Sequence, residues 1–427
     1  MNGVQLSEST TVFAKIGLLS FGGPAAQIAL MHKLLVEEKK WLTEQQFLGA
    51  ISFCMLLPGP EAMQLATYAG WKMHGTKGGL IAGLLFVLPG AFVILVLAYL
   101  YAKLGNIPVM QVIFLGIKAA VLIVVLEALI KVSKRALLSN LAWWIAGLAF
   151  VGIFFFSIPF PLIILLAACT GALLMPSQTV LSSTPTKAIP IMNTVQTVFI
   201  WLIVWWAPVL AITFLSGAPI LSEITFFFSK LALVTFGGAY AVLAYMGQDV
   251  VTQFGWLTAA EMMDGLGLAE TTPGPLILVT EFVGFLAAFR DGGIWLGLLG
   301  AFITLWVTFA PCFLWIFAGA PYIEAISQNP RLSGALLAIT AAVVGVILNL
   351  SIWFALHVLF GEVSVQSLGP ITLWVPDLLS FDWRVLVIGA VCGTLLLKLH
   401  WGLIKTLGIS AILGLVLSTL ESVAPLN

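Results

Sequence analysis

The sequence predicts an all-α polytopic membrane protein made of two homologous repeats of inverted topology, with interrupted helices and about 10–13 transmembrane segments. Three observations predict it. The first is composition. The 427 residues are 61% apolar and only 8% charged, with a mean hydropathy of +1.12, whereas soluble domains run near 25% charged. Too little polar surface remains to cover a water-exposed globule, so lipid must cover the chain. About 260 apolar side chains, at roughly 20 per bilayer span, set a ceiling of about 13 spans. The second observation is an internal match. At an offset of 215, Phe13–Pro60 pairs with Phe228–Pro275 without a gap, and 16 of the 48 positions are identical. The third is a reversed charge bias at equivalent loops, described below.

The elements follow in order. Hydropathy predicts a first helix over about 12–36, two short pieces at 44–57 and 60–73 meeting at Pro58-Gly59-Pro60, and long helices near 78–103 and 109–132. An apolar hairpin follows at 141–176. After the polar stretch Ser177–Lys187, the apolar segment 191–216 has no counterpart in the other half. The expected domains are therefore a first transmembrane repeat at 1–176, a linker with an unpaired helix at 177–221, and a second repeat at 222–427. Later in the chain the offset becomes 222, aligning Pro89 with Pro311 and Ala119-Ala120-Val121 with Ala341-Ala342-Val343.

Lys and Arg in short loops mark the cytoplasmic side. The loop after the fourth segment of copy one holds Lys131, Lys134 and Arg135, while its mate, 357–383, has neither Lys nor Arg. At the next loop the bias reverses: 157–161 is uncharged and 398–405 holds Lys398, His400 and Lys405. Opposite bias at equivalent loops means opposite orientation. The number of crossings depends on whether the pieces around Pro-Gly-Pro are re-entrant, and inversion holds for either count.

Several function classes are excluded. Four Cys and four His are scattered, so neither a disulfide framework nor a zinc site is expected. No basic cluster tracks nucleic acid, net charge is zero, and no cofactor is expected. Gly75-Thr76-Lys77 lacks phosphate-loop spacing, and no His-Glu-x-x-His or Ser/His/Asp grouping suggests catalysis, so the chain is not expected to be an enzyme. Met1–Thr11 lacks the basic start and apolar core of a signal peptide.

Inverted repeats with interrupted helices are the mark of secondary transporters, whose substrates bind where the copies meet. The interruptions are Phe21-Gly22-Gly23-Pro24 with Phe236-Gly237-Gly238, and Pro58-Gly59-Pro60 with Pro273-Gly274-Pro275. Backbone freed inside a membrane needs a partner, and a helix that restarts there presents N–H groups to an anion. The competing readings are close helix packing for the glycines and a surface hairpin tip for Pro-Gly-Pro. Thr271 and Thr272 offer hydroxyls to an oxyanion, or cap a helix. Lys15 and Lys230 stand two turns before their glycine pairs, as site cations or as snorkelling side chains. Lys118 is embedded more deeply, although its repeat mate is Thr340. Glu61, Glu270 and Glu281 flank the Pro-Gly-Pro elements as candidates for proton coupling, and Glu61 equally suits a helix N-terminus as a dipole complement.

Phe-Gly-Gly-Pro, a Trp before a short helix, Pro-Gly-Pro, a glycine-rich turn (Gly75, Gly78, Gly79) and Leu88-Pro89, repeated in a second half, resemble the chromate ion transporter family in its long, two-repeat form. The resemblance covers nearly the whole chain. It implies export of chromate, with sulfate as a mimic, across the bacterial cytoplasmic membrane by alternating access driven by membrane potential or an ion gradient. It also implies functional status for Phe21, Gly22, Gly23, Pro24, Pro58, Gly59 and Pro60 and for Phe236, Gly237, Gly238, Pro273, Gly274 and Pro275. Ala239 stands where the first copy has Pro24. Short members of the family work as pairs of single halves, which leaves a homodimer open for this chain. The rival readings are a transporter of another anion such as sulfate and a membrane scaffold subunit without transport.

Overall fold

The structure, a computed structural model, describes residues 4–105, 107–175, 191–215, 217–236, 239–323 and 329–423. The chain is an all-α polytopic membrane protein. Six of its helical segments are long and apolar enough to cross a membrane among the described residues.

In copy one, α1 (Leu6–Leu19) and α2 (Gly23–His32, continued by a π turn to Glu38) replace the single helix expected over 12–36. The break falls at Phe21-Gly22-Gly23. Then come α3 (Glu44–Leu56), α4 (Glu61–Leu104), α5 (Pro108–Ala136), α6 (Asn140–Phe156) and α7 (Phe160–Leu174). The unmatched helix is α8 (Ile191–Leu215). Copy two repeats the order with α9 (Pro219–Val234), α10 (Ala239–Gln248, with a π turn to Gln253), α11 (Ala259–Thr271) and α12 (Val279–Gly319). It closes with α13 (Pro330–Leu359), α14 (Trp383–Gly393, with a π turn to Lys398) and α15 (Leu403–Val423).

The repeated Trp-Leu-Thr has a local cause. Each π turn ends in a left-handed residue, Lys40 (φ 53°) or Gly255 (φ 63°). The next N–H, of Trp41 or Trp256, donates to a carbonyl six residues back, Leu35 O at 2.8 Å or Val250 O at 3.0 Å. Two residues later the threonine caps the following helix. Thr43 exchanges side-chain and backbone bonds with Gln46, and Thr258 does the same with Glu261.

Both α4 and α12 fold back on themselves. Non-helical backbone at His74-Gly75 and Gly292-Gly293 makes the turns. Across them Gly70 lies against Gly78 and Gly284 against Gly300, so close that a Cβ on any of the four would strike backbone. The arm Glu61–Met73 is thus a separate 13-residue piece, and α3 is another of 13 residues. At 1.5 Å per residue each is about 20 Å long, short of the ~30 Å apolar core of a bilayer.

Compact packing does not follow the repeats. Unit 1 gathers Met1–Val96, Ala168–Val242 and Thr272–Leu336, and unit 2 gathers Leu97–Ala167, Leu243–Thr271 and Leu337–Asn427, so each draws on both copies. In unit 1, α12 packs on α8 and α9, and α1 reaches α4 where Gly17 meets the Leu85 carbonyl. In unit 2, α5 is the hub for α11, α14 and α15.

One element was not expected. Within the loop at 357–383, Val363–Leu368 and Ile371–Pro376 pair as an antiparallel hairpin, β1 and β2. Its β-branched residues and a Gly369-Pro370 turn account for it.

Inversion makes a direct prediction. Ser139 caps α6, Gly361 precedes β1, and both are exposed. With the exposed Cys169 replaced by serine, cysteines at Ser139 and Gly361 are expected to react with an impermeant maleimide from opposite faces of the membrane. Reaction of both from the cytoplasmic face would disprove inversion.

Candidate functional site: paired helix breaks in unit 1

Helix α1 stops at Leu19, and Phe21 N–H turns back to Leu19 O at 2.9 Å. Two left-handed glycines follow, Gly22 (φ 85°) and Gly23 (φ 80°), a combination that a side chain would strain. Pro24 stands in the first turn of α2, where its missing N–H costs nothing. In copy two, Phe236 N–H makes the same short turn onto Val234 O at 2.9 Å, and the helix restarts at Ala239. Gly237 and Gly238 lie outside the described residues.

The two kinds of break meet. Gly59 N–H donates to Thr235 O at 2.8 Å, and Gly274 N–H donates to Ser20 O at 2.8 Å. Gly59 and Gly274 are 215 residues apart, as are Ser20 and Thr235. Exchanging the copies therefore turns one bond into the other. The helices end at Leu19 and Val234, which leaves the Ser20 and Thr235 carbonyls to the glycines, while the two hydroxyls donate back to Ile16 O and Leu231 O, 2.6 Å each. Both glycines need the left-handed region, with φ of 125° at Gly59 and 92° at Gly274. Gly90 also abuts the Pro273 carbonyl, with no room for a Cβ.

Two buried glutamines complete the junction, and sequence reasoning missed both. Gln27 Nε2 donates to Gly274 O at 2.7 Å and to Ser20 O at 3.3 Å. Gln64 Nε2 donates to Pro58 O at 2.8 Å. Their signal was an amide inside an apolar helical run, and the repeat mate of Gln27 is Val242. The amide oxygens Gln27 Oε1 and Gln64 Oε1 take no hydrogen bond, nor do Glu281 Oε2 and Thr308 Oγ1, all buried in unit 1.

This geometry refines the anion-site expectation. The Gly59 and Gly274 amides are already committed to protein carbonyls, so they brace the breaks. The first turns of α2 and of α4 follow directly on these breaks. The start of α2 has no side-chain cap, and both ends carry the positive pole of a helix dipole.

The remaining predicted residues are spread out. Phe21, Pro58 and Phe236 are half-buried, and Pro60, Pro273 and Pro275 are buried. Lys15 and Lys230 lie on exposed faces of α1 and α9. Thr271 Oγ1 donates to Leu268 O at 2.7 Å within its own helix, and Thr272 is buried. Glu61 opens α4 half-buried, while Glu270 and Glu281 are buried at the end of α11 and the start of α12. Among the described residues, no group of three His, Cys, Asp or Glu gathers to hold a metal.

Comparison with known proteins decides the family. The family described as Chromate transporter matches twice, at residues 8–172 and 222–415. The chain belongs to the chromate transporter family. It is the two-repeat form, a transport protein and not an enzyme. The two matches cover α1–α7 and α9 onward, and α8 falls between them. Curated relatives agree along most of their length. A probable chromate transport protein of Synechococcus elongatus is 29% identical over 399 residues, covering 91% of this chain and 95% of the relative. The chromate transport protein of Cupriavidus metallidurans is 28% identical, covering 80% of each chain. That of Pseudomonas aeruginosa is 32% identical, covering 78% of this chain and 77% of its own. No solved structure matches the chain.

Proposed function

We propose that the protein exports chromate across the cytoplasmic membrane by alternating access, driven by membrane potential or an ion gradient and not by ATP, with sulfate competing as a structural mimic. The observation that carries the reading is the reciprocal pair of amide–carbonyl bonds. It holds broken helices of both copies together in one unit, the arrangement in which transporters of inverted-repeat design bind substrate. Family membership supplies the substrate class, and the names of the three relatives supply chromate.

The physics suits a tetrahedral dianion. First-turn amides of α2 and α4 orient its oxygens. Lys15 and Lys230, exposed near the breaks in sequence, draw the charge toward the entrance. An inside-negative potential drives each charge outward by about 2.3 kcal/mol per 100 mV, so a dianion gains about 4.6. Outward movement therefore needs little further coupling.

Inverted vesicles given a potential and no ATP are expected to accumulate labelled chromate, with sulfate competing. The Lys15→Ala/Lys230→Ala double variant is expected to take up chromate more slowly. A requirement for ATP hydrolysis, or normal uptake by the double variant, would defeat this mechanism.

A further inference from the structure

We propose that Asp264, held between Lys118 and Tyr101 in unit 2, is where the transport cycle takes up and releases a proton. The inference rests on the transport reading above, and names the coupling site that reading leaves open.

Three elements build the cluster. Asp264 sits on α11, buried with its neighbours Met262, Met263 and Leu266. Lys118 comes from α5, next to the buried Ala119-Ala120-Val121, and Tyr101 from the last turn of α4. The close approach of α11 to α5 has a local cause. Gly267, one turn beyond Asp264, lies against the Ile117 side chain where a Cβ has no room. The acid and the cation thus lie beside this close contact, one turn from Gly267 and one residue from Ile117.

The two carboxylate oxygens are held differently. Tyr101 O–H donates to Oδ2 at 2.7 Å. Lys118 Nζ stands 3.3 Å from Oδ1, with 17% of its side chain exposed against 5% for Asp264. That is an ion pair without hydrogen-bond alignment, and Oδ1 accepts no hydrogen bond although it is buried. One oxygen is thus occupied by a donor, and the other has charge beside it and room in its bonding for a proton. Charged groups at membrane depth are costly and tend to mark ion or proton pathways. A buried pair is also weak evidence for stability, since an apolar pair of similar volume often serves as well.

The cluster departs from the repeat. The counterpart of Lys118 is Thr340, and the counterpart of Asp264 is Gly49. The Phe-Gly-Gly and Pro-Gly-Pro breaks occur in both copies, whereas this pair occurs once. The pair therefore has no counterpart at the equivalent positions of the duplicated scaffold.

The step itself is simple. A proton from water bonds to Asp264 Oδ1, the carboxylate becomes neutral, and the Lys118 ammonium loses its counter-ion. The cluster passes from zero charge to +1, which favours an arriving oxyanion. Release of the proton restores the pair. The other groups acting on Asp264 are Tyr101 and, on its own helix, Glu261. Helix α15, also packed on α11, carries Lys405 on an exposed face of its first turn and Glu421 in its last turn.

The test uses the full-length protein in liposomes loaded with a pH-sensitive dye and given labelled chromate. Asp264→Asn is expected to abolish chromate-dependent proton movement and to lower pH-gradient-driven uptake about tenfold, the size of a typical coupling. Asp264→Glu is expected to restore both. The Asp264→Asn/Lys118→Gln variant leaves no uncompensated charge, and is expected to fold and still exchange chromate without protons. Infrared difference spectra on acidification are expected to show a protonated-carboxyl band that Asp264→Asn lacks. Proton movement unchanged in both variants, or the same band in wild type and Asp264→Asn, would overturn the proposal. If the wild type moves no chromate, the transport reading fails, and the infrared titration still decides whether Asp264 takes the proton.

Discussion

Gly59→Val and Gly274→Val are each expected to reduce chromate uptake about a hundredfold or more, with the protein still reaching the membrane. Both glycines hold left-handed backbone, φ 125° and 92°, where a β-branched residue costs about 1–3 kcal/mol in strain. Space compounds the cost. A Cβ at Gly59 falls 2.7 Å from Gln64 Nε2 and 2.8 Å from Cys312 Sγ. At Gly274 the nearest atoms are Leu278 Cδ1 at 3.1 Å and the Phe86 carbonyl at 3.5 Å. The elbow must shift, and its amide leaves the Thr235 or Ser20 carbonyl. Gly49 is the control. It lies inside α3 with nothing within 4 Å of a Cβ, and Gly49→Ala is expected to transport normally. Near-normal uptake by either valine variant would show that the crossed bonds are dispensable.

Gln27→Leu is expected to lower both thermal stability in detergent and vesicle uptake, the latter about tenfold. The side chain is buried and of similar size to leucine, so packing is nearly conserved while the Nε2 donor disappears. Ser20 O keeps the Gly274 amide, but Gly274 O loses the 2.7 Å bond from Gln27. A buried carbonyl deprived of its partner costs about 1–3 kcal/mol, and 1.4 kcal/mol corresponds to a factor of ten. Gln27→Glu, which cannot donate when ionised, is expected to be at least as damaging. Unchanged melting and uptake in both would remove Gln27 from the site.

Much of this was legible in the chain because breaks in apolar helices are written in glycine and proline. Phe21-Gly22-Gly23-Pro24 and the two Pro-Gly-Pro runs announced where helices end, and the offset of 215 announced which ends are equivalent. The offset could not announce that the equivalent ends bond crosswise, because Gly59 and Thr235 are joined by tertiary packing rather than by any local pattern. Two polar residues without a polar repeat mate escaped for the same reason. Gln27 and Asp264 look like isolated exceptions in apolar helices until the structure supplies Gly274 O and Lys118 beside them. The turns at His74-Gly75 and Gly292-Gly293 were half visible: glycines marked flexibility there, but only the contact of Gly70 with Gly78 shows that the chain doubles back.

The crossed bonds also bear on how such a chain came to be assembled. Neither half contains the acceptor for its own elbow: the amide of Gly59 needs a carbonyl from residue 235, and the carbonyl of Ser20 receives an amide from residue 274. A lone half would carry into the lipid a donor and an acceptor with no mate, each costing several kcal/mol there. The contact is thus self-complementary in kind, the sort that two identical copies satisfy mutually before any covalent join exists. In this chain α8 lies between the two matched regions, and the copies differ where Gln27, Lys118 and Asp264 each stand opposite another residue.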